Sequence, residues 1–315
     1  MEVNGEEIFF FFAVIKKKIG KNLLNTSIKN TVKSWKEKTR YNMKNTITII
    51  TGAASGIGRE LAKQAAALGS YVMATDLNES GLAETKAMIL AENNQVETHI
   101  LDVSKPDAVV NFARLVLPKL QNKKLHLINN AGVALASGNF AETSLNDFEW
   151  LLNINLWGVI RMTKEFLPYM LGQNAGHIVN ISSVFGLAGV AEQSAYCTAK
   201  FGVRGFTETL RMELMDTNVK TTVVHPGGIS TDIAKNAKLG GKITPQEKEE
   251  GTEAFAKNTP TSAQEAARQI LGAIIKQKPR LVIGNDGRML DWITRLLPVG
   301  YTKIIKKQME KMFGR

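Results

Sequence analysis

Tyr196 and Lys200 stand four residues apart, and Ser183 lies thirteen residues before the tyrosine. On a helix, residues i and i+4 share one face, so the phenol and the ammonium would be neighbours. An unperturbed phenol titrates near 10 and is a poor base at neutral pH. A nearby cation favours the phenolate and lowers that value. Tyr196 is then able to take a proton from an alcohol, or give one to a carbonyl in reverse. Ser183 is placed to hydrogen-bond the same oxygen and steady its charge. A pair at this spacing is, alone, more often an ordinary helix surface pair. About 140 residues upstream of it, however, stands a glycine-rich turn, Thr51-Gly52-Ala53-Ala54-Ser55-Gly56-Ile57-Gly58.

That turn has the surroundings a dinucleotide site requires. Residues 46–51 form a β-branched run of strand length, and residues 57–68 are rich in helix formers. Glycines permit a tight turn and close backbone approach, while the N–H groups of a helix N-terminus attract a pyrophosphate. The spacing G-x-x-x-G-x-G is one residue longer than the common form. A second strand, residues 71–75, ends at Asp76, 24 residues after Gly52. An acid there accepts hydrogen bonds from ribose hydroxyls and repels a 2′-phosphate, so NAD is favoured over NADP. Asp76 also reads as an N-cap for a helix over 79–91, and the two roles are compatible.

The elements that must position these groups follow in order. Helix and strand alternate through the first half; then come a helix over 145–172, a strand over 177–182 ending at Ser183, a helix over 194–215 carrying Tyr196 and Lys200, and a strand over 219–225. Residues 230–262 have little periodicity. A helix near 261–276 and a strand at 281–283 close the series. Alternation of this kind predicts an α/β fold: one Rossmann-type, doubly wound parallel sheet with helices on both faces.

With these residues in hand, the chain resembles the short-chain dehydrogenase/reductases, in the roughly 250-residue form, over about residues 45–285. The turn at 51–58 is similar to the family's cofactor turn, Asn129-Asn130-Ala131-Gly132 to its NNAG segment, and Pro226-Gly227 with Thr231 to the segment bordering the nicotinamide. The resemblance implies a catalytic tetrad of Asn155, Ser183, Tyr196 and Lys200. Tyr196 would be the acid/base, Ser183 the donor to the substrate oxygen, Lys200 the ribose ligand that tunes Tyr196, and Asn155 the support of a water chain. It implies cofactor contacts from Thr51, Gly52, Ser55, Gly56, Ile57, Gly58, Asp76, Asp102, Asn129, Ala131, Gly132, Pro226, Gly227, Ile229 and Thr231, with Tyr196 and Lys200. Substrate contacts fall to Ser183, Val184, Phe185 and Tyr196. It also implies a mobile lid over 230–262 and a homodimer or homotetramer.

Other groups have plainer readings. His126 reads as a satisfied strand histidine and His225 as a structural or pocket-wall residue. Four histidines and one cysteine show no ligand spacing, so no metal is expected. The single Cys197 excludes an intrachain disulfide and suits a reducing, cytoplasmic compartment. A thiol reagent there would act by crowding Tyr196.

Charge sits at the ends. Of the net +11, residues 1–45 carry +6 and residues 288–315 carry +5, while 46–287 balance at 23 against 23. Three parts are thus expected: a basic and apolar extension over 1–44, a catalytic domain over 45–287, and a basic amphipathic C-terminal helix over 288–315. The apolar run from Ile8 to Ile15 is too short to span a bilayer, which needs roughly 20 residues, and a secretory signal would place its charge first. Two uses of the tails compete: contact with an anionic membrane surface, or packing of the C-terminal helix on the enzyme's own pocket or a partner subunit. No nucleic-acid motif accompanies them, and nucleic acid is not an expected partner. Apolar candidates for the pocket wall are Val133, Ala134, Leu135, Val184, Phe185, Leu187 and Ile229, with Trp292 and Leu296 closing a deeper tunnel. The expected substrate is a hydrophobic alcohol or carbonyl, and the family resemblance implies one of steroid, retinoid or long-chain type. The competing expectation is a catalytically silent membrane-surface scaffold with the same fold.

Overall fold

The computed structural model describes residues 42–257 and 259–313. The N-terminal extension expected over 1–44 therefore lies, up to residue 41, outside the described residues. Seven strands form the central sheet: β1 Thr46–Thr51, β2 Tyr71–Asp76, β3 Val96–Ile100, β4 Lys124–Asn129, β5 Gly176–Ile181, β6 Val219–Pro226 and β7 Arg280–Ile283. Every neighbouring pair is parallel, in the order β3-β2-β1-β4-β5-β6-β7. The chain turns back between β1 and β4, the crevice where ligands bind in open α/β sheets.

Ten helices are described: α1 Gly56–Ala67, α2 Glu79–Ala91, α3 Pro106–Val116, α4 Leu145–Leu152, α5 Gly158–Gly172, α6 Ser194–Glu213, α7 Pro245–Lys257, α8 Ala263–Ile275, α9 Asn285–Leu296 and α10 Tyr301–Phe313. The strands are apolar on both faces, so both need cover. Ile50, Ile128, Val179 and Val224 pack under α1, α2 and α8 through Leu61, Leu82 and Ile270. Ile47, Ile49, Leu125, Leu127 and Ile178 pack under α3, α5 and α6 through Phe112, Phe166 and Leu210. The α/β/α sandwich expected from the alternation is the fold observed.

Three expectations need correction. The helix over 145–172 is interrupted by a π-turn at Asn153–Trp157 between α4 and α5. The side chain of Asn155 bonds both Val133 N and Val133 O at 2.8 Å, and such a widened turn accommodates a side chain fixed outside the helix. The lid region contains α7 and two short strand pairs, Thr261–Ser262 on Ile229–Ser230 and Lys238–Leu239 on Leu135–Ala136. The C-terminal helix is two helices, because Pro298 lacks an N–H and disfavours helical backbone at Leu297. Among the described residues no helix is long and apolar enough to cross a membrane.

His126 and His177 are direct neighbours on β4 and β5, both buried. Burial lowers each to about 3 from an ordinary 6.5. His177 Nε2 bonds Thr222 Oγ1 at 2.7 Å. His126 is not the satisfied histidine expected: its Nδ1 has no partner among the described residues, and the adjacent Thr48 hydroxyl is taken by Ser70 at 2.7 Å. Below pH 6.5 the unfolded chain binds protons that the fold refuses, so stability falls as pH drops from about 6.5 towards about 3, by about 1.4 kcal/mol per pH unit for each histidine. His126→Leu is expected to lose about 2 kcal/mol less unfolding free energy than the parent between pH about 7 and about 5 in urea titrations. An identical loss would contradict a neutral buried His126.

Candidate active site

The phosphate end is built by backbone proximity. A side chain at Gly58 would put its Cβ 1.9 Å from Gly52 O, and one at Gly52, which has φ +69°, would lie 2.8 Å from Ala131 Cα. Helix α1 thus sits on the turn, and the turn sits on the segment after β4. Ser55 precedes α1 in extended conformation without a side-chain bond to the first turn, leaving those N–H groups for an anion. Asn130 Nδ2 donates to Thr51 O and Gly52 O at 3.0 and 3.1 Å, while Thr51 Oγ1 accepts from the N–H of Asn130 and Ala131, both at 3.0 Å.

Two expected cofactor contacts change character here. The Thr51 hydroxyl is committed to the β4 loop. Asn129 turns into the core, where its Nδ2 donates to Thr163 Oγ1 and Asn180 Oδ1. Strand alternation sends Asn129 inward and Asn130 towards the turn, where its side chain holds Thr51 O and Gly52 O. Asp76 ends β2 with its carboxylate accepting from Ala54 N and Asn78 N, both at 3.0 Å, so it braces the turn from the end of β2. The cap of α2 is Asn78, which accepts from Gly81 N at 2.9 Å, and not Asp76. Arg59, also missed, donates to Ala54 O and pairs with Glu84 at 2.7 Å. Asp102, just beyond β3, accepts from Ser104 N.

At the chemical end, Lys200 is 4% exposed and donates from Nζ to Ile181 O at 3.0 Å. Its Nζ lies 5.5 Å from the Tyr196 ring centroid. Gly132 stands beside it: a side chain there would meet Asn155 Oδ1 at 3.3 Å and Lys200 Nζ at 3.6 Å. Ser183 Oγ accepts from Phe185 N at 3.1 Å, which directs its own proton elsewhere, and the serine acts on the neighbouring Tyr196 phenol. Phe185 meets Tyr196 edge-on at 6.1 Å. Asn155, Ser183, Tyr196 and Lys200 therefore gather at the carboxyl ends of β4 and β5, next to the glycine turn.

The electrostatics differ from the expectation that Lys200 pulls the phenol down. Burial pushes Tyr196 up to about 12, with the Ser183 bond opposing, and burial brings Lys200 down to about 8. Among the chain's own groups, loss of water outweighs the cation one turn away. His225 is fully buried and donates from Nδ1 to Ser183 O at 3.0 Å, a structural tie as expected. Cys197 is buried with its thiol pushed up, so it is shielded from the crowding reagent imagined above.

The segment Pro226–Thr231 lies between the end of β7 and the glycine turn. Gly227 N donates to Ile283 O at 3.0 Å, and Thr231 Cγ2 comes within 3.2 Å of where a Gly56 Cβ would be. Of the apolar candidates, Val133, Ala134 and Phe185 are half-buried, whereas Leu135, Val184, Leu187 and Ile229 are buried. Trp292 and Leu296 do not close a tunnel: they are 65% and 71% exposed. Helix α10 packs instead on α7, and Tyr301 Oη accepts from Gly189 N at 3.1 Å.

Comparison with known proteins agrees with this geometry. A family model described as short chain dehydrogenase matches residues 46–240. The chain is 37% identical over 271 residues to "Putative oxidoreductase SadH" of Mycobacterium tuberculosis, covering 85% of this chain and 96% of that protein. It is 30% identical over 296 residues to human estradiol 17-beta-dehydrogenase 11, covering 92% of each. A short chain dehydrogenase/reductase from Burkholderia phymatum, solved in complex with NAD, superposes with a TM-score of 0.69 at 30% identity, covering 78% of this chain and 90% of that one.

Proposed function

Because the chain belongs to the short chain dehydrogenase family and is an oxidoreductase by that kinship, we propose that it is NAD-dependent and moves hydride between the cofactor and a hydrophobic alcohol or carbonyl compound. The observation that carries this is the convergence of Ser183, Tyr196, Lys200 and Asn155 beside the Gly52–Gly58 turn. The residues present fit a dinucleotide: an uncapped α1 N-terminus for the pyrophosphate, Asp76 for a ribose, and a side-chain-free Gly132 next to the Lys200 ammonium. When bound, the nicotinamide accepts or supplies the hydride, and its positive oxidised ring favours the Tyr196 phenolate.

The chain's own groups do the rest. Ser183, with one lone pair held by Phe185 N–H, donates to the substrate oxygen. Tyr196 takes the alcohol proton on oxidation or returns it on reduction. Lys200, one of whose protons goes to Ile181 O, offers the others to ribose hydroxyls. Asn155 keeps the π-turn open by holding both polar groups of Val133. Asp76 supports NAD over NADP, since Arg59 is already paired with Glu84. The apolar residues Val133, Ala134 and Phe185 support a lipophilic substrate, as does the similarity to an estradiol dehydrogenase. In this reading residues 45–287 are the catalytic unit, with 230–262 covering the substrate.

One surface favours a membrane partner as well. Met289, Trp292, Leu296 and Val299 are exposed along one side of α9 and its end, with Arg288, Arg295 and Lys303 around them. Apolar residues flanked by cations suit an anionic lipid interface.

Purified protein should oxidise or reduce members of a panel of long-chain alcohols, aldehydes, steroids and retinoids, followed by NADH absorbance, with NAD preferred to NADP. Tyr196→Phe should lower kcat by about 10²- to 10⁴-fold. Tight NADH binding without turnover on any compound would move the assignment to a silent scaffold. Trp292→Ala with Leu296→Ala should reduce sedimentation with phosphatidylserine vesicles while leaving turnover of a soluble substrate intact; equal sedimentation would dismiss the lipid interface.

A further inference from the structure

Asp286 lies in the first turn of α9, beyond the region the family model matches, yet it reaches the nicotinamide side of the site. Its Oδ2 accepts from Gly228 N at 2.7 Å. Its Oδ1 is buried with no partner among the described residues. The fit around the carboxylate is close. A Cβ on Gly227 would lie 2.3 Å from Asp286 Oδ2, and one on Gly284, which has φ +88°, would lie 2.2 Å from Oδ1. The next residue, Gly287, has equally little space: a Cβ there would meet Val184 Cγ1 at 2.9 Å and Gly227 Cα at 3.6 Å. The start of α9 is therefore wedged between the residue after Ser183 and the segment that begins at Pro226.

Burying a carboxylate oxygen without a partner is costly. A first-turn acid on a helix needs no such burial, since the macrodipole effect operates at the exposed surface. The carboxylate is instead spent on a single backbone N–H. That N–H belongs to a segment otherwise held at its ends, by Gly227 N on Ile283 O and by the pairing of Ile229 and Ser230 with Thr261 and Ser262. Between those ties, Gly228 N has Asp286.

We propose that Asp286 is a positioning residue: it latches Pro226–Thr231 to the C-terminal helix and so sets where the nicotinamide ring can lie. The proposal rests on the dehydrogenase reading only for its kinetic consequence. Gly227 is glycine, on this account, because the latch occupies the space of its side chain. Gly227→Ala and Asp286→Ala then break the same bond, and their effects do not add.

The test has two arms on the full chain. In hydrogen–deuterium exchange on the free protein, peptides covering 226–231 should exchange at least tenfold faster in Asp286→Ala and in Gly227→Ala, and no faster in the double variant. Asp286→Asn, which keeps an acceptor, should restore the slow rate. This arm needs neither cofactor nor substrate. In the second arm, Asp286→Ala should leave the Kd for NADH within about threefold, because the adenosine half is held elsewhere, while kcat falls at least tenfold, since small misplacement of reacting groups can cost about 10²-fold. Unchanged exchange over 226–231 in Asp286→Ala would overturn the latch, as would single-variant losses that multiply in the double. A parent protein that binds NADH and turns nothing over would count against the dehydrogenase reading, with the exchange arm still deciding the latch.

Discussion

A buried ammonium is the constraint around which the site is arranged. Taking a cation out of water costs several kcal/mol unless oxygen atoms replace the solvent. Lys200 has Ile181 O at the end of β5, and the shift of its ammonium to about 8 registers what burial leaves uncompensated. The requirement spreads to its neighbours. Gly132 lacks a side chain where one would press on Asn155 Oδ1, Asn155 is held in a π-turn by the Val133 backbone, and Ser182 Oγ donates to Lys200 O from the adjacent segment. Tyr196, one turn before, shares the desolvation and sits at about 12. Desolvation keeps both groups in their resting protonation states at neutral pH, so the phenol's readiness to act depends on charge brought to it.

The remaining loops are held by hydrogen bonds from side chains to the backbone of a neighbouring segment. Asn130 ties the turn after β1 to the end of β4, His225 ties the end of β6 to Ser183 O, and Asp286 ties the start of α9 to Gly228 N. The end of β1 is thus tied to that of β4, the end of β5 to that of β6, and the start of α9 to the segment after β6, each by one polar side chain. Apolar packing in the sandwich below is non-directional; these ties help give the site its register.

Much of this was legible before any coordinates. Alternating β-branched runs and helix formers imply the parallel sheet, and the Gly52–Gly58 turn declares its own position between strand and helix. Tyr196 and Lys200 announce a shared face by spacing alone. What escaped depends on direction and on water. Asn129 and Asn130 are identical in composition, and only the pleat decides which one faces the core. Burial of the phenol reverses the sign of its shift, a quantity no spacing carries. The π-turn at Asn153–Trp157 answers a bond to Val133, twenty residues away in sequence and adjacent in space. Pro298 was visible as a break, yet the basic amphipathic pattern on either side masked it. Asp286 offered no signal at all, since a lone acid near the start of a helix is ordinary.

The central claim is that Tyr196 and its neighbours govern hydride transfer to or from a carbonyl carbon. The most direct measurement is mass spectrometry of the product formed from a long-chain aldehyde or ketone and NADH carrying deuterium at its transferable position. The expected result is a product one mass unit heavier with the parent enzyme, with the label on the former carbonyl carbon, formed at least about 10²-fold more slowly with Tyr196→Phe. Binding of the deuterated cofactor without label transfer to any carbonyl, or equal transfer by Tyr196→Phe, would contradict it.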